Sequence, residues 1–269
     1  MLQSLVASVK GVGLNYDFLT FSDEPIARAI SCPLDSEINL DFHQKWKFHY
    51  LYKLRELDYD NFIFIDSDHY FVRKPTIALP DLLAGDSWHT FLESPINSPS
   101  TKRPDWWSMP NSMMVDLWRS FGVKQKILYN TNGGFFICKK NMIEQILATS
   151  ILFDEHQNAY GLSLPEEVTD AVLTHLFSLD YCKHLHSRHI DHWASEWTNA
   201  LGGNLPDGSN WEFEEYMTRE RSIVNPAIVH AMRSKVALID KGRAILGQKI
   251  DSVSFTPWPE AKASLNKSY

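Results

Sequence analysis

The chain has 269 residues, 44% of them hydrophobic and 22% charged, with a formal net charge of −7. This is the composition of a folded globular protein with a substantial core rather than a disordered chain. The negative balance argues against nucleic acid or an anionic membrane as the main partner, and no apolar run approaches the ~20 residues of a membrane helix.

The first ten residues, from Met1 to Lys10, lack the basic start and long apolar stretch of a signal peptide. Residues 2–10 have helical spacing, and residues 16–21 predict a strand closing on Ser22-Asp23-Glu24-Pro25. From Gln44 to Leu57 the pattern is helical again. Trp46, Tyr50, Leu51, Leu54 and Leu57 share a face, with Lys45, Lys47, Lys53 and Arg55 on the solvated remainder. Residues 62–65, Phe-Ile-Phe-Ile, are a short apolar run that predicts a strand buried on both faces. A Pro- and Trp-rich irregular region follows from 75 to 110, then a helix over 112–121. Residues 133–138 predict a strand, followed by a helix capped at Asn141 with Glu144 three residues on. Ser163 and Glu166 have capping-box spacing for a further helix, whose buried stripe is Val168, Ala171, Val172 and Leu176. Residues 227–230 form a last short strand. The alternation of helices and apolar strands predicts an α/β sheet flanked by helices. One domain is expected over 1–240, with a tail, 241–269, packed on it.

Three cysteines, Cys32, Cys138 and Cys182, lie far apart with no CxxC pair. That predicts neither a zinc site nor a disulfide framework, and a reduced, cytoplasmic setting. Among nine tryptophans, Trp106-Trp107 and the group Trp193, Trp197 and Trp211 sit in polar surroundings. They serve either as partly buried core or as platforms on which sugars stack.

The chemistry concentrates where the strand at 62–65 runs into Asp66-Ser67-Asp68. Open α/β sheets place ligands outside the carboxyl ends of their strands. Two acids spaced i, i+2 there repel each other unless something cationic sits between them, and a divalent ion with oxygen ligands is the usual solution. The bland alternative is a solvated turn, since Asp and Ser are ordinary turn formers. His230 also ends an apolar strand, with Arg233 and Lys235 just beyond. It reads either as a structural histidine or as a third metal ligand beside cations that neutralise a diphosphate.

In order, the chain has a basic helix, Tyr59-Asp-Asn-Phe-Ile-Phe-Ile-Asp66-Ser-Asp68, Tyr129-Asn-Thr-Asn132-Gly-Gly, Pro165-Glu-Glu167, and Ile228-Val-His230 with Lys235. This series resembles the GT-A fold glycosyltransferases that use nucleotide sugars, and is similar to retaining enzymes of the galactosyltransferase and glycogenin type. The resemblance covers residues 1–240. It implies a GT-A-like, Rossmann-like mixed sheet, here lacking the usual first strand. It also implies transfer of a sugar from a nucleotide-diphosphate donor to a glycan or other hydroxyl acceptor. Asp66, Asp68 and His230 would bind Mn²⁺ or Mg²⁺, and Lys235 would hold the phosphates with Arg233 nearby. Ser67 and Gly133 would border the donor, Asn132 the sugar, and Lys47 would touch the donor from the preceding helix. Glu166 and Glu167 would lie beneath the reacting carbon. The capping box accounts for Glu166, leaving Glu167 as the catalytic choice. The chain departs from the family pattern in having two glutamates where an aspartate and a glutamine are usual.

Two other functions fit parts of the pattern. One is a degenerate GT-A domain that binds a glycan or a protein. The other is a haloacid-dehalogenase-type phosphatase, in which Asp66 would be the nucleophile; His69-Tyr70-Phe71 after the motif does not match that type.

Overall fold

The structure is a computed structural model that describes residues 1–35, 46–71, 73–75, 77–83, 85–99, 101, 104–178, 194–195, 227–230 and 254–267. It is a mixed α/β protein that divides into two compact units. One comprises Met1–Ile38, Ile65–Ala78 and His186–Tyr269, the other Asn39–Phe64 and Leu79–Leu185.

The first unit opens with α1 (Leu2–Gly11), which buries Leu5, Val6, Ala7 and Val9. It ends in a Schellman-type turn. Gly13 adopts φ 75° and the Leu14 N–H donates to the Val9 carbonyl at 3.2 Å. β1 (Leu19–Ser22) and β2 (Ile30–Pro33) pair in parallel. The last helix, α6 (Trp258–Leu265), is tied to them by the Trp258–Phe21 ring contact at 5.8 Å. A three-stranded sheet has the order β4 (His69–Phe71), β10 (Ile228–His230), β9 (Ala194–Ser195). The α1 hydroxyl of Ser8 accepts from the Phe71 N–H at 3.0 Å, fastening β4 to the helix.

The second unit is built on the sheet β3 (Asn61–Ile65), β8 (Tyr129–Lys139), β5 (Trp88–Pro95). Central β8 is buried along nearly its whole length. Phe136 on it stacks with Trp88 at 4.5 Å, Phe64 at 5.0 Å and Phe48 of α2 (Trp46–Leu54) at 6.4 Å. β5 and β8 are antiparallel, but the register jumps from Thr90↔Phe136 to Phe91↔Asn132. Gly133, Gly134 and Phe135 therefore bulge out of the ladder. The Thr90 hydroxyl caps the bulge by donating to the Phe135 carbonyl at 2.6 Å. α5 (Glu166–Phe177) packs on this sheet, and the Trp88 indole donates to Thr174 Oγ1 at 3.0 Å. α3 (Asn111–Phe121), α4 (Ile143–Ala159) and α5 enclose a core that includes Met114, Trp118, Phe153, Val168 and Val172. The hairpin β6 (Asp105–Trp106) and β7 (Met109–Pro110) inserts Trp106 and Met109 into that same core.

Several sequence expectations are corrected. Only Phe62 of β3 is buried, because β3 lies at the end of the described sheet rather than within it. β8 begins at Tyr129 rather than 133, since Asn130, Thr131 and Asn132 find internal partners for their polar side chains. Within the irregular region, residues 88–95 form β5. No side chain caps α4 or α5. A short 3₁₀ turn, Lys140–Met142, leads into α4, and extended Pro165 leads into α5. Leu176 is exposed rather than part of the buried stripe. Lys47 is buried, not on a solvated face.

Candidate active site

Each unit carries one cluster of the predicted residues. In the first unit, the segment after β3 turns tightly: the His69 N–H donates to the Asp66 carbonyl at 3.2 Å, a turn that Asp and Ser favour. The turn delivers His69 to the start of β4, where it lies directly across from His230 in the antiparallel β4–β10 pair. Side chains at such a cross-strand position meet. The two imidazoles stack at 4.2 Å with 9° between their planes. Asp68 Oδ1 lies 3.2 Å from His230 Nε2 and 3.8 Å from His69 Nδ1. One potential ligand atom from each of Asp68, His69 and His230 falls within 4.8 Å of the others.

His69 is fully buried, and burial, reinforced by His230, holds its pKa well below the ordinary value of 6.5; Asp68 and the Asp66 carbonyl oppose this only in part. It is therefore neutral at pH 7, the form that ligates metal. His69 Nδ1 is 3.1 Å from the Asp66 carbonyl. A proton shared there puts the lone pair on Nε2, the outer-shell arrangement typical of metal-bound histidine. One carboxylate and two imidazoles form a donor set that fits a divalent first-row transition ion better than Mg²⁺. Asp68 and His230 are thus brought together as predicted, whereas the Asp66 carboxylate is not in the group and Ser67 occupies the turn, half-buried. His69 takes the third position. Nothing in the local sequence marks His69, because only the β4–β10 register sets it opposite His230. Lys235 and Arg233 lie outside the described residues, as do Cys182, Trp193, Trp197 and Trp211.

In the second unit, the β8 bulge turns Gly133 toward α5. The Gly133 N–H donates to Glu167 Oε1 at 3.1 Å, and its carbonyl accepts from Lys47 Nζ at 2.8 Å. A Cβ at Gly133 would lie only 3.0 Å from Glu167 Cβ, so this close approach favours glycine. The other Glu167 oxygen, Oε2, accepts from the Trp107 indole at 2.7 Å, and Thr131 Oγ1 donates to the Glu167 carbonyl at 3.0 Å. Burial, then the nearby Glu93 carboxylate, pushes the Glu167 carboxyl up to about 8; the Gly133 and Trp107 N–H groups and Lys47 offset only part of this. Glu167 therefore carries a proton at neutral pH.

Lys47 is held by Asp170 Oδ2 at 2.7 Å and Glu166 Oε1 at 3.3 Å. Glu166 is thus a counter-ion of Lys47 rather than a helix cap. Asn132 braces the bulge, accepting from the Gly134 N–H at 3.1 Å and donating to Glu93 Oε1 at 3.2 Å. Asn130 donates to the other Glu93 oxygen at 3.1 Å. Glu93, Asp170 and Trp107 were not predicted as site residues. Glu93 sits in β5, within the stretch whose sequence predicts no regular element, and Asp170 lies one helical turn beyond Glu166, a spacing that shares a face.

No protein-family model matches the chain, and no curated protein matches it in sequence. The fold is similar to solved glycosyltransferases. An active-site mutant of LgtC is 14% identical with a TM-score of 0.49, over 97% of this chain and 96% of that one. The galactosyltransferase LgtC in complex with donor and acceptor sugar analogs is 11% identical with a TM-score of 0.48, over 94% of each chain. The bifunctional glycosyltransferase WbbM is 13% identical with a TM-score of 0.49, over 99% of this chain and 49% of its own. Among the described residues, no helix is long and apolar enough to cross a membrane.

Proposed function

We propose that the chain is a metal-dependent glycosyltransferase that moves a hexose from a nucleoside-diphosphate donor to an acceptor hydroxyl with retention. The observation that carries this reading is the convergence of Asp68, His69 and His230 within 4.8 Å. The ordered motif series supports a nucleotide sugar as the donor. A divalent ion held by these three residues would act as a Lewis acid on charge developing at the diphosphate.

The chain's own residues supply the rest. His69, neutral and oriented by the Asp66 carbonyl, brings a lone pair without adding positive charge that would repel an ion. In the reaction the bond from the anomeric carbon to the diphosphate oxygen breaks, and the electron pair leaves with the diphosphate. A bond to the acceptor oxygen forms on the same face, and the acceptor proton passes to the departing phosphate. No dedicated base is then needed. The transition state is oxocarbenium-like, so positive charge builds on the sugar ring. Glu167, fixed through both carboxyl oxygens by Gly133 and Trp107, is the second unit's candidate for the sugar-facing role that the motif series implies. Held as the uncharged acid, this carboxyl would meet the sugar as a preorganised hydrogen-bonding group rather than as a counter-charge. Lys235 and Arg233 are assigned to the diphosphate. Lys47, with Asp170 and Glu166, is assigned to holding the Gly133 bulge in place.

Thermal denaturation with UDP, GDP, CDP and ADP, each with Mn²⁺ and with EDTA, tests the reading. At 100 times Kd a ligand stabilises by about 2.7 kcal/mol, a rise of roughly 5–10 °C for a domain of this size. At least one nucleotide should do so with Mn²⁺ and not with EDTA, and Asp68→Asn should abolish the rise. Stabilisation by none of the four would reject the transferase reading.

A further inference from the structure

The β6–β7 hairpin pairs Asp105 with Pro110 and Trp106 with Met109, leaving Trp107 and Ser108 as its two-residue loop. Both loop residues have positive φ, 52° and 60°. Such turns ordinarily hold Asn-Gly or Gly-Gly, because a side chain is strained there. A tryptophan in this position is an outlier, and strain of this kind persists where the surroundings enforce it and function uses it. The enforcement is visible. Trp106 and Met109 are locked in the core, Trp106 meets Trp118 edge-on at 6.0 Å, and the Asn111 N–H closes the hairpin base on the Pro104 carbonyl at 2.9 Å. Core packing alone would not select tryptophan at the tip, because Trp107 remains 50% exposed.

Its indole N–H is spent on Glu167 at 2.7 Å, which pins the ring while leaving aromatic surface open to solvent beside the carboxyl. An exposed aromatic face beside a carboxyl suits a pyranose, whose ring C–H face is apolar and whose rim is hydroxyl. Aromatic side chains with one polar handle suit such amphipathic partners. Pinning also lowers the ordering entropy of binding.

We propose that Trp107 is a carbohydrate platform on which the acceptor sugar stacks, and that the strained turn exists to hold its ring beside Glu167. This rests on the transferase reading of the site. The platform itself is tested by direct binding, without turnover.

Saturation-transfer NMR and calorimetric titration with galactose, glucose, lactose, maltose and cellobiose measure it on wild type, Trp107→Gly and Trp107→Phe. Glycine relieves the positive-φ strain. That relief partly offsets the lost indole bond to Glu167, so Trp107→Gly should stay folded with a cooperative melt while weakening saccharide binding at least tenfold. Phenylalanine keeps a stacking ring but cannot donate to Glu167. Trp107→Phe should bind saccharide within about threefold of wild type, with turnover reduced. Full saccharide binding by Trp107→Gly, or equal loss in both variants, overturns the platform. If nucleotides stabilise the wild type and none of the five sugars binds it, the platform fails and the transferase reading stands. If sugars bind through Trp107 and no nucleotide does, the carbohydrate site stands and the transferase reading fails.

Discussion

Lys47→Met offers a direct test of how the second unit holds its site. The Lys47 side chain is 4% exposed and Asp170 is 0% exposed, with Nζ and Oδ2 2.7 Å apart. Removing one member of such a pair leaves the other charge buried and uncompensated, which costs about 3–5 kcal/mol. Glu166, more exposed at 18% and 3.3 Å from Nζ, adds less, in the range of about 0–1 kcal/mol for a near-surface pair. A loss near 4 kcal/mol lowers the melting temperature by roughly 8–16 °C in a domain of this size. Adding Asp170→Asn removes the orphaned charge. The double variant should therefore regain at least half the loss, giving a coupling energy of about 2 kcal/mol or more in a double-mutant cycle. Urea denaturation of wild type, both singles and the double measures this directly. A loss below about 1 kcal/mol in Lys47→Met, or a double variant less stable than the single, refutes the buried-pair argument. Donor KM separates the roles further: a lysine that touches the donor leaves KM raised even when Asp170→Asn restores stability.

Two further perturbations probe Glu167. Gly133→Ala places a methyl 3.0 Å from Glu167 Cβ and 3.3 Å from Asp170 Oδ2. Overpacking of this kind costs about 1–3 kcal/mol, and denaturation together with steady-state kinetics should show that loss along with a fall in kcat of at least tenfold. The second is pH. Glu167 titrates near 8 in the folded chain against an ordinary 4.5, so the folded state holds an extra proton between those values. Stability from this group is complete below pH 4.5 and is lost as pH rises to about 8. The melting temperature of Glu167→Gln, which mimics the protonated form, should therefore gain on wild type across that window. The gain is on the order of 2 kcal/mol after solvent screening, and parallel melting curves at pH 5 and pH 8 would show it absent if Glu167 is ionised throughout.

Local patterns carried most of the fold into the sequence. The helices at residues 2–11, 46–54 and 111–121 and the strand at 228–230 follow from apolar spacing alone. β5 did not, because Trp-His-Thr-Phe-Leu-Glu-Ser-Pro lacks clean alternation; it is buried on both faces for five residues and ends in polar groups that bind β8. The caps predicted at Asn141 and Ser163 failed for a related reason. Capping spacing states what a side chain could bind, whereas Glu166 is drawn off by Lys47 and the chain before α5 is tied back to α4 through Gln157 Oε1, 3.1 Å from the Leu164 N–H. Asp68 and His230 were legible as acids and bases at strand ends. His69 was not, because only the cross-strand register makes it their neighbour.

The burial of charge distinguishes structural from reactive groups within this chain. Lys47 and Asp170 satisfy each other, and a pair that is internally compensated has little left to offer a substrate. Glu167 is the opposite case. Two N–H donors and Lys47 fall short of offsetting burial and Glu93, and the carboxyl stays protonated. A chain selected for stability alone would place an amide there, since glutamine offers hydrogen-bonding groups without a titrating proton. The same logic holds at His69, kept neutral by burial while facing a second imidazole and a carboxylate. Titratable groups held away from their ordinary ionisation in specific, converging geometry mark functional sites more often than structural ones. Both clusters meet that description, one with a donor set that suits a cation and the other with a carboxyl held in its uncharged form.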